Sequence, residues 1–277
     1  MREFGSRGVR LSDHQHRIFS PLGLFRGVWA GLIAIGLLAC PLWVYGQTVS
    51  VHIPEGFSHG YLILHDAKRK VIASGELTQT LQKHRIISRL VYQFRDGSID
   101  DETTIYVQDQ AFHLVREHHI QRGPSFPHPY DVTIDAVAGK IVFQEGAKPA
   151  ETKHLALPSD LSNGLVLTLM RNLPPDGPEI DVPYLAVSSK PRLVTLTILP
   201  DGEDEFKVGA LAHKTRKYVI KVKLGGLTGA VAPLIGQEPP EFHVWVTRGT
   251  VPTVIRVDGP LYEGGPVWSS ELASAVW

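Results

Sequence analysis

From Ile86 to Phe94 every second residue, Ile86, Ser88, Leu90, Tyr92 and Phe94, is apolar or small, while Arg89, Gln93 and Arg95 fall between them. A period of two marks a strand with one buried face. Arg95-Asp96-Gly97-Ser98 then supplies turn chemistry before the chain resumes at Ile99. A turn that sets Phe94 opposite Ile99 puts Leu90 opposite Thr103, Ser88 opposite Ile105 and Ile86 opposite Val107. In that register Ile86, Leu90, Phe94, Ile105 and Val107 share the buried face, and Arg89, Gln93 and Glu102 share the solvent face.

Further strands are expected at Ala111–Ile120, Tyr130–Asp135, Lys140–Gln144, Leu193–Leu199, Glu205–His213, Arg216–Leu224, Glu241–Thr247 and Thr253–Asp258. Alternation is clearest where Tyr218, Ile220, Val222 and Leu224 interleave with Lys217, Val219, Lys221 and Lys223. The exception lies mid-chain. Ser159 can cap a helix reaching Leu173, in which Leu161, Leu165, Val166, Leu169, Met170 and Leu173 follow helical spacing until Pro174-Pro175-Asp176-Gly177 ends it. Such a helix has almost no polar face and must be covered. The expected fold class is therefore mainly β: a curved antiparallel meander forming a barrel or half-barrel with one central apolar helix. Gln144–Lys153, Pro174–Pro183 and Gly225–Pro240 read as connectors.

The amino-terminal end reads as an address. Arg7, Arg10, Arg17 and Arg26 precede an uncharged stretch from Val28 to Tyr45, and Val44 and Gly46 are the small residues a signal peptidase accepts. Residues 1–46 are expected to be a signal peptide, alternatively a membrane anchor through 28–45, and 47–277 a single β-rich exported domain. Localisation is expected to be periplasmic or secreted. Cys40, the sole cysteine, lies in the leader, so the exported part has no disulfide, thiol nucleophile or cysteine-ligated metal. Lys and Arg together number 28, as do Asp and Glu, which gives no basic excess for nucleic acid.

Chemistry-bearing motifs are few. There is no phosphate loop, dinucleotide fingerprint, serine elbow or H-E-x-x-H pattern. Ionisable residues crowd at His113, Glu117, His118 and His119, with His128 following. Alternation puts His113, Glu117 and His119 on one strand face, but residues four apart on a strand are roughly 13 Å apart, too far to share one ion. Only Glu117 and His119, with a third ligand from elsewhere, could do so. No metal and no organic cofactor is expected, and no catalytic residue is assigned. The acids of Asp100-Asp101-Glu102 and Asp201-Gly202-Glu203-Asp204-Glu205 read as solvated turn residues, and Trp245 and Trp268 as core.

The order of elements is an export signal, meandering strands, a central helix beginning Pro158-Ser159-Asp160-Leu161-Ser162, then strands leading to His243-Val244-Trp245-Val246 and Val251-Pro252-Thr253-Val254-Ile255. It resembles uncharacterised bacterial periplasmic proteins built like the lipoprotein-carrier fold, a curved half-barrel closed by helices over an apolar cavity. That resemblance implies an envelope protein that binds or shuttles something apolar: a lipid, an acyl chain or a lipidated partner. Leu90, Phe94, Ile105, Leu165 and Leu169 are the candidate lining residues. Two other classes stand beside it: a structural or interaction component of the envelope with an envelope protein partner and a filled core, and an exported hydrolase marked by convergence of His118, His119 or His128 with acids.

Overall fold

The computed structural model describes residues 47–174, 176–208, 211–223 and 241–276. Residues 1–46, expected to be a signal peptide, and the whole Gly225–Pro240 connector expected from the sequence lie outside the described residues. Fourteen strands follow one another: β1 Ser58–His65, β2 Val71–Gln82, β3 Arg85–Phe94, β4 Ile99–Gln108, β5 Phe112–Arg122, β6 Tyr130–Asp135, β7 Lys140–Glu145 and β8 Glu151–His154, then β9 Ile180–Ala186, β10 Arg192–Val208, β11 Leu211–Lys223, β12 Phe242–Thr247, β13 Val254–Gly259 and β14 Trp268–Val276. One helix among the described residues, α1 Val166–Arg171, falls between β8 and β9.

All fourteen strands belong to one antiparallel sheet in the order β8-β7-β6-β5-β4-β3-β2-β1-β14-β13-β12-β11-β10-β9. Each strand pairs with its chain neighbour except at the middle, where β1 pairs with β14. Among the described residues the sheet is not closed: β8 and β9 are its two edges, and the segment that carries α1 connects them.

The β3–β4 hairpin exists, but one residue out of the expected register. Leu90 faces Glu102, Ser88 faces Thr104 and Ile86 faces Tyr106. The cause is the turn. Only Arg95, Asp96 and Gly97 form the loop, with the Gly97 amide donating to the Phe94 carbonyl and Phe94 to that of Ser98. Gly97 takes φ 85°, the left-handed position that closes a three-residue loop. A slip of one residue exchanges the faces of β4. Asp100, Glu102, Thr104 and Tyr106 therefore share the face of Ile86, Leu90 and Tyr92, whereas Ile105 and Val107 lie on the opposite face. The expectation that Ile105 and Val107 are buried with Leu90, and Glu102 exposed with Arg89, is corrected accordingly.

A second irregularity sits on β5. Ile105 pairs with Arg116 and Tyr106 with Leu114, so Val115 is an extra residue in the ladder. This bulge changes which parity faces inward. Phe112 and Leu114 are buried before it, Glu117 and Gln121 after it. His113 is thereby separated from Glu117 and His119, against the shared face that simple alternation expects.

The mid-chain helix is much shorter than Ser159–Leu173. Gly164 takes φ 65° and interrupts it, and the residues before that glycine bond to β9 instead. The Ser162 amide and hydroxyl both donate to the Pro183 carbonyl, at 2.9 and 2.6 Å. Asn163 donates through Nδ2 to the Leu185 carbonyl at 3.1 Å and accepts from the Leu185 amide at 2.7 Å, occupying the place of a neighbouring strand. The apolar positions are nonetheless buried. Leu161, Leu165, Leu169 and Met170 join one cluster with Tyr106, Ile134 and Ile141 from one side of the strand order and Leu196, Ile198 and Val244 from the other. A separate aromatic cluster holds Tyr92, Phe94, Phe126 and Trp268. The connectors expected at Gln144–Lys153 and Pro174–Pro183 contain β8 and the start of β9, and the expected strand Glu205–His213 is divided between β10 and β11.

Candidate functional site

A cavity of about 330 Å³ lies between strands β1–β5, strands β9, β13 and β14, and α1. Its apolar lining includes Leu62, Leu77, Leu90, Ile255, Val257 and Leu272. Its polar lining includes Gln79, Arg171, Arg256 and a cluster of Glu102, Glu117 and His119.

The cluster is a product of the β4–β5 ladder. Glu102 stands directly across from His119, and the next inward pair is Thr104 with Glu117. One donor atom from each of Glu102, Glu117 and His119 lies within 4.8 Å of the other two. His119 is fixed from both sides: Nε2 is 2.6 Å from Asp100 Oδ1, and Nδ1 is 3.0 Å from the Tyr130 hydroxyl. The other Asp100 oxygen accepts from Gln121 Nε2 at 3.2 Å, and that same amide donates to the Leu261 carbonyl at 2.7 Å. Thr104 donates to Glu102 at 3.2 Å. Gly164 closes against this group so tightly that a Cβ there would meet Thr104 Oγ1 at 2.1 Å and Glu102 Oε1 at 2.8 Å.

Burial dominates the electrostatics. It pushes the Glu117 carboxyl well above the usual carboxylate range, and the charge of Glu102 adds to the shift. Glu102 is raised for the same first reason, with Asp100 adding to it and His119 opposing it. For His119 burial acts downward, but the hydrogen bond to Asp100 and the surrounding acids outweigh it, and its pKa is pushed up to about 9. Burial also raises the Tyr130 and Tyr184 hydroxyls. Two side-chain atoms of this group are buried without a hydrogen bond, Glu117 Oε2 and Gln121 Oε1, and of these residues only Glu117 lines the cavity.

The two arginines on the wall are already paired. Arg171 Nη1 reaches both carboxylate oxygens of buried Glu55 at 2.9 Å, and its Nε donates to the Pro252 carbonyl at 2.8 Å. Gln79 links this pair to Tyr106 by donating to Glu55 at 2.8 Å and accepting from the tyrosine at 3.1 Å. Arg256 grips Asp258 at 2.8 and 2.6 Å and lies 4.7 Å from the centre of the Trp245 ring.

Of the lining residues expected from the sequence, Leu90 borders the cavity. Phe94 packs against Phe126 and Trp268 in the aromatic cluster. Ile105 lies on the other face of β4, and Leu165 and Leu169 are core residues. Of the histidines singled out with His119, His118 pairs with Asp131 at 2.9 Å in exposed surroundings, and His128 is exposed 3.8 Å from Glu145. His113 Nδ1 lies 3.0 Å from the Ser159 carbonyl. A four-residue loop would turn Glu102 and Asp100 outward, and the three-residue loop turns them inward. The signal that would have exposed them is Gly97, since a left-handed glycine in a three-residue loop sets the pairing seen here.

Comparison with known proteins adds little. No family model matches the chain, and no curated protein does. Among solved structures it is similar to a beta-barrel-like protein of a domain of unknown function from Brucella abortus. The identity is 9%, with 84% of this chain and 99% of that chain covered, at a TM-score of 0.46.

Proposed function

We propose that this is an exported, non-enzymatic protein whose sheet curls as a half-barrel around the α1 segment and holds a small amphipathic molecule. The observation that carries the reading is the cavity: about 330 Å³, with leucine, isoleucine and valine side chains on its wall and a few convergent polar groups. That is the size and chemistry of a small-molecule site. An acyl chain suits the apolar wall, and a polar head can meet Gln79 or the acid–histidine cluster. Export rests on the Arg-bearing leader and the uncharged stretch from Val28 to Tyr45.

The test is to purify the protein gently, extract it with organic solvent, analyse the extract by mass spectrometry, and titrate the stripped protein with a fluorescent fatty acid. A lipid-like molecule in the extract and a saturable titration of one per chain are expected. No co-purified molecule together with no saturable titration would overturn the reading in favour of a structural role.

A further inference from the structure

We propose that Glu102, Glu117 and His119 form a binding site for one divalent transition cation, reached from the cavity. The site does not depend on the amphiphile reading, because the ladder of β4 and β5 alone brings its three donors together.

Four observations converge on it. The first is geometric. Donor atoms that already lie within 4.8 Å of one another need only small side-chain rotations to reach an ion at roughly 2.0–2.2 Å from each. The second is an unmet need. Glu117 is only 4% exposed, lines the cavity, and leaves Oε2 without a hydrogen bond. A buried acceptor with no donor is costly, and a metal ion is a partner that meets the need.

The third observation is charge. Two carboxylates side by side away from bulk water call for a counter-charge. The arginines on the cavity wall, Arg171 and Arg256, are engaged by Glu55 and Asp258, which leaves His119, itself paired with Asp100, as the one charged partner of the two acids. A divalent ion neutralises the pair. The fourth is the outer layer. His119 is held by Asp100, which is itself held by Gln121. A carboxylate behind an imidazole is the arrangement that orients metal-bound histidines. Uptake of the ion displaces a proton from the His119 ring to the solvent and exchanges one of its two hydrogen bonds for a coordinate bond.

The donor set selects the class of ion. One imidazole and two carboxylates, with no thiolate, suit Zn²⁺, Fe²⁺ or Mn²⁺. Calcium prefers six to eight oxygens, which three side chains in this setting do not supply. Three protein ligands leave coordination positions open toward the cavity.

The experiment is calorimetric titration of the purified, chelator-stripped protein with ZnCl2, and separately with CaCl2. One Zn²⁺ per chain and at least tenfold weaker Ca²⁺ binding are expected. Glu117→Gln and His119→Ala should each weaken Zn²⁺ at least tenfold. His118→Ala removes an exposed imidazole that pairs with Asp131, and should leave binding unchanged. Circular dichroism checks that each variant folds. If His119→Ala does not, the near-isosteric Glu117→Gln decides, together with the visible absorption of bound Co²⁺, which should appear in the wild-type protein and vanish in that variant. No saturable Zn²⁺ uptake, uptake indifferent to Glu117→Gln, or uptake lost equally in His118→Ala would overturn the proposal.

Discussion

Leu90 and Glu102 are directly opposite each other on β3 and β4, and both line the cavity. An apolar side chain and an acid thus share one inward face of one hairpin. The wall changes character over a single residue pair.

Enlarging Leu90 and enlarging Leu165 should have opposite signatures. Leu90 borders open space, so Leu90→Trp should fold with little change in stability and lose binding of the fluorescent fatty acid. Leu165 is 1% exposed within the main cluster, so Leu165→Trp should lose about 1 to 3 kcal/mol from overpacking. Urea denaturation and the fatty-acid titration, run on both variants, separate the two effects.

Asn163 ties the α1 segment to β9 by two hydrogen bonds to Leu185, and both residues are fully buried. Asn163→Ala strands a buried amide and a buried carbonyl. A loss of about 2 to 4 kcal/mol is expected in urea melts. A loss under about 0.5 kcal/mol would mean that the strand-mimicking role is wrong.

At Gly164 a side chain meets two obstacles, the left-handed φ of 65° and contact with Thr104 and Glu102. Gly164→Ala should destabilise by about 2 kcal/mol or more, since the conformational term alone is roughly 1–2 kcal/mol. Thermal melts against the wild type measure it.

Acid should weaken the clasp between Glu271 and Arg69, whose two hydrogen bonds are 2.7 and 3.0 Å. Burial acts to raise the Glu271 carboxyl, but Arg69, Arg256 and His65 together hold it below its ordinary value. A depressed carboxyl contributes stability that is present above the ordinary pKa of the unfolded chain, and is lost as pH falls through the folded value. Glu271→Gln should therefore melt below the wild type at pH 7, and the gap should close toward pH 3. A gap that widens with acid would contradict the assignment.

The sequence announces strands wherever the inward residues pack into solid core. Strand β6 was expected at Tyr130–Asp135 and is found there, because Val132 and Ile134 are buried in the main cluster. Strands β1 and β2 gave no such signal. Their inward positions include Ser58, Gly60, Gly75 and Gln79, small or polar residues, three of which border the cavity. The apolar spacing of 161–173 correctly marked buried leucines, but a period cannot report that Asn163 would bond to β9 or that Gly164 would turn left-handed. The acid–histidine cluster is half legible: Glu117 and His119 stand out in the sequence, while the inward position of Glu102 depends on a three-residue turn, which alternation alone does not report.

The pairing of β1 with β14 sets an order in time. Every other ladder joins consecutive strands, whereas His65 meets Ser269 and Ile63 meets Glu271, partners about two hundred residues apart along the chain. Local hairpins form early because the loops they close are short, and contacts of long separation form late. The segments β1–β8 and β9–β14 can each zip as local meanders, but the seam between them waits for the last strand to be made. A chain halted before Trp268 is left with β1 and β13 as bare strand edges, the condition in which β proteins associate with one another.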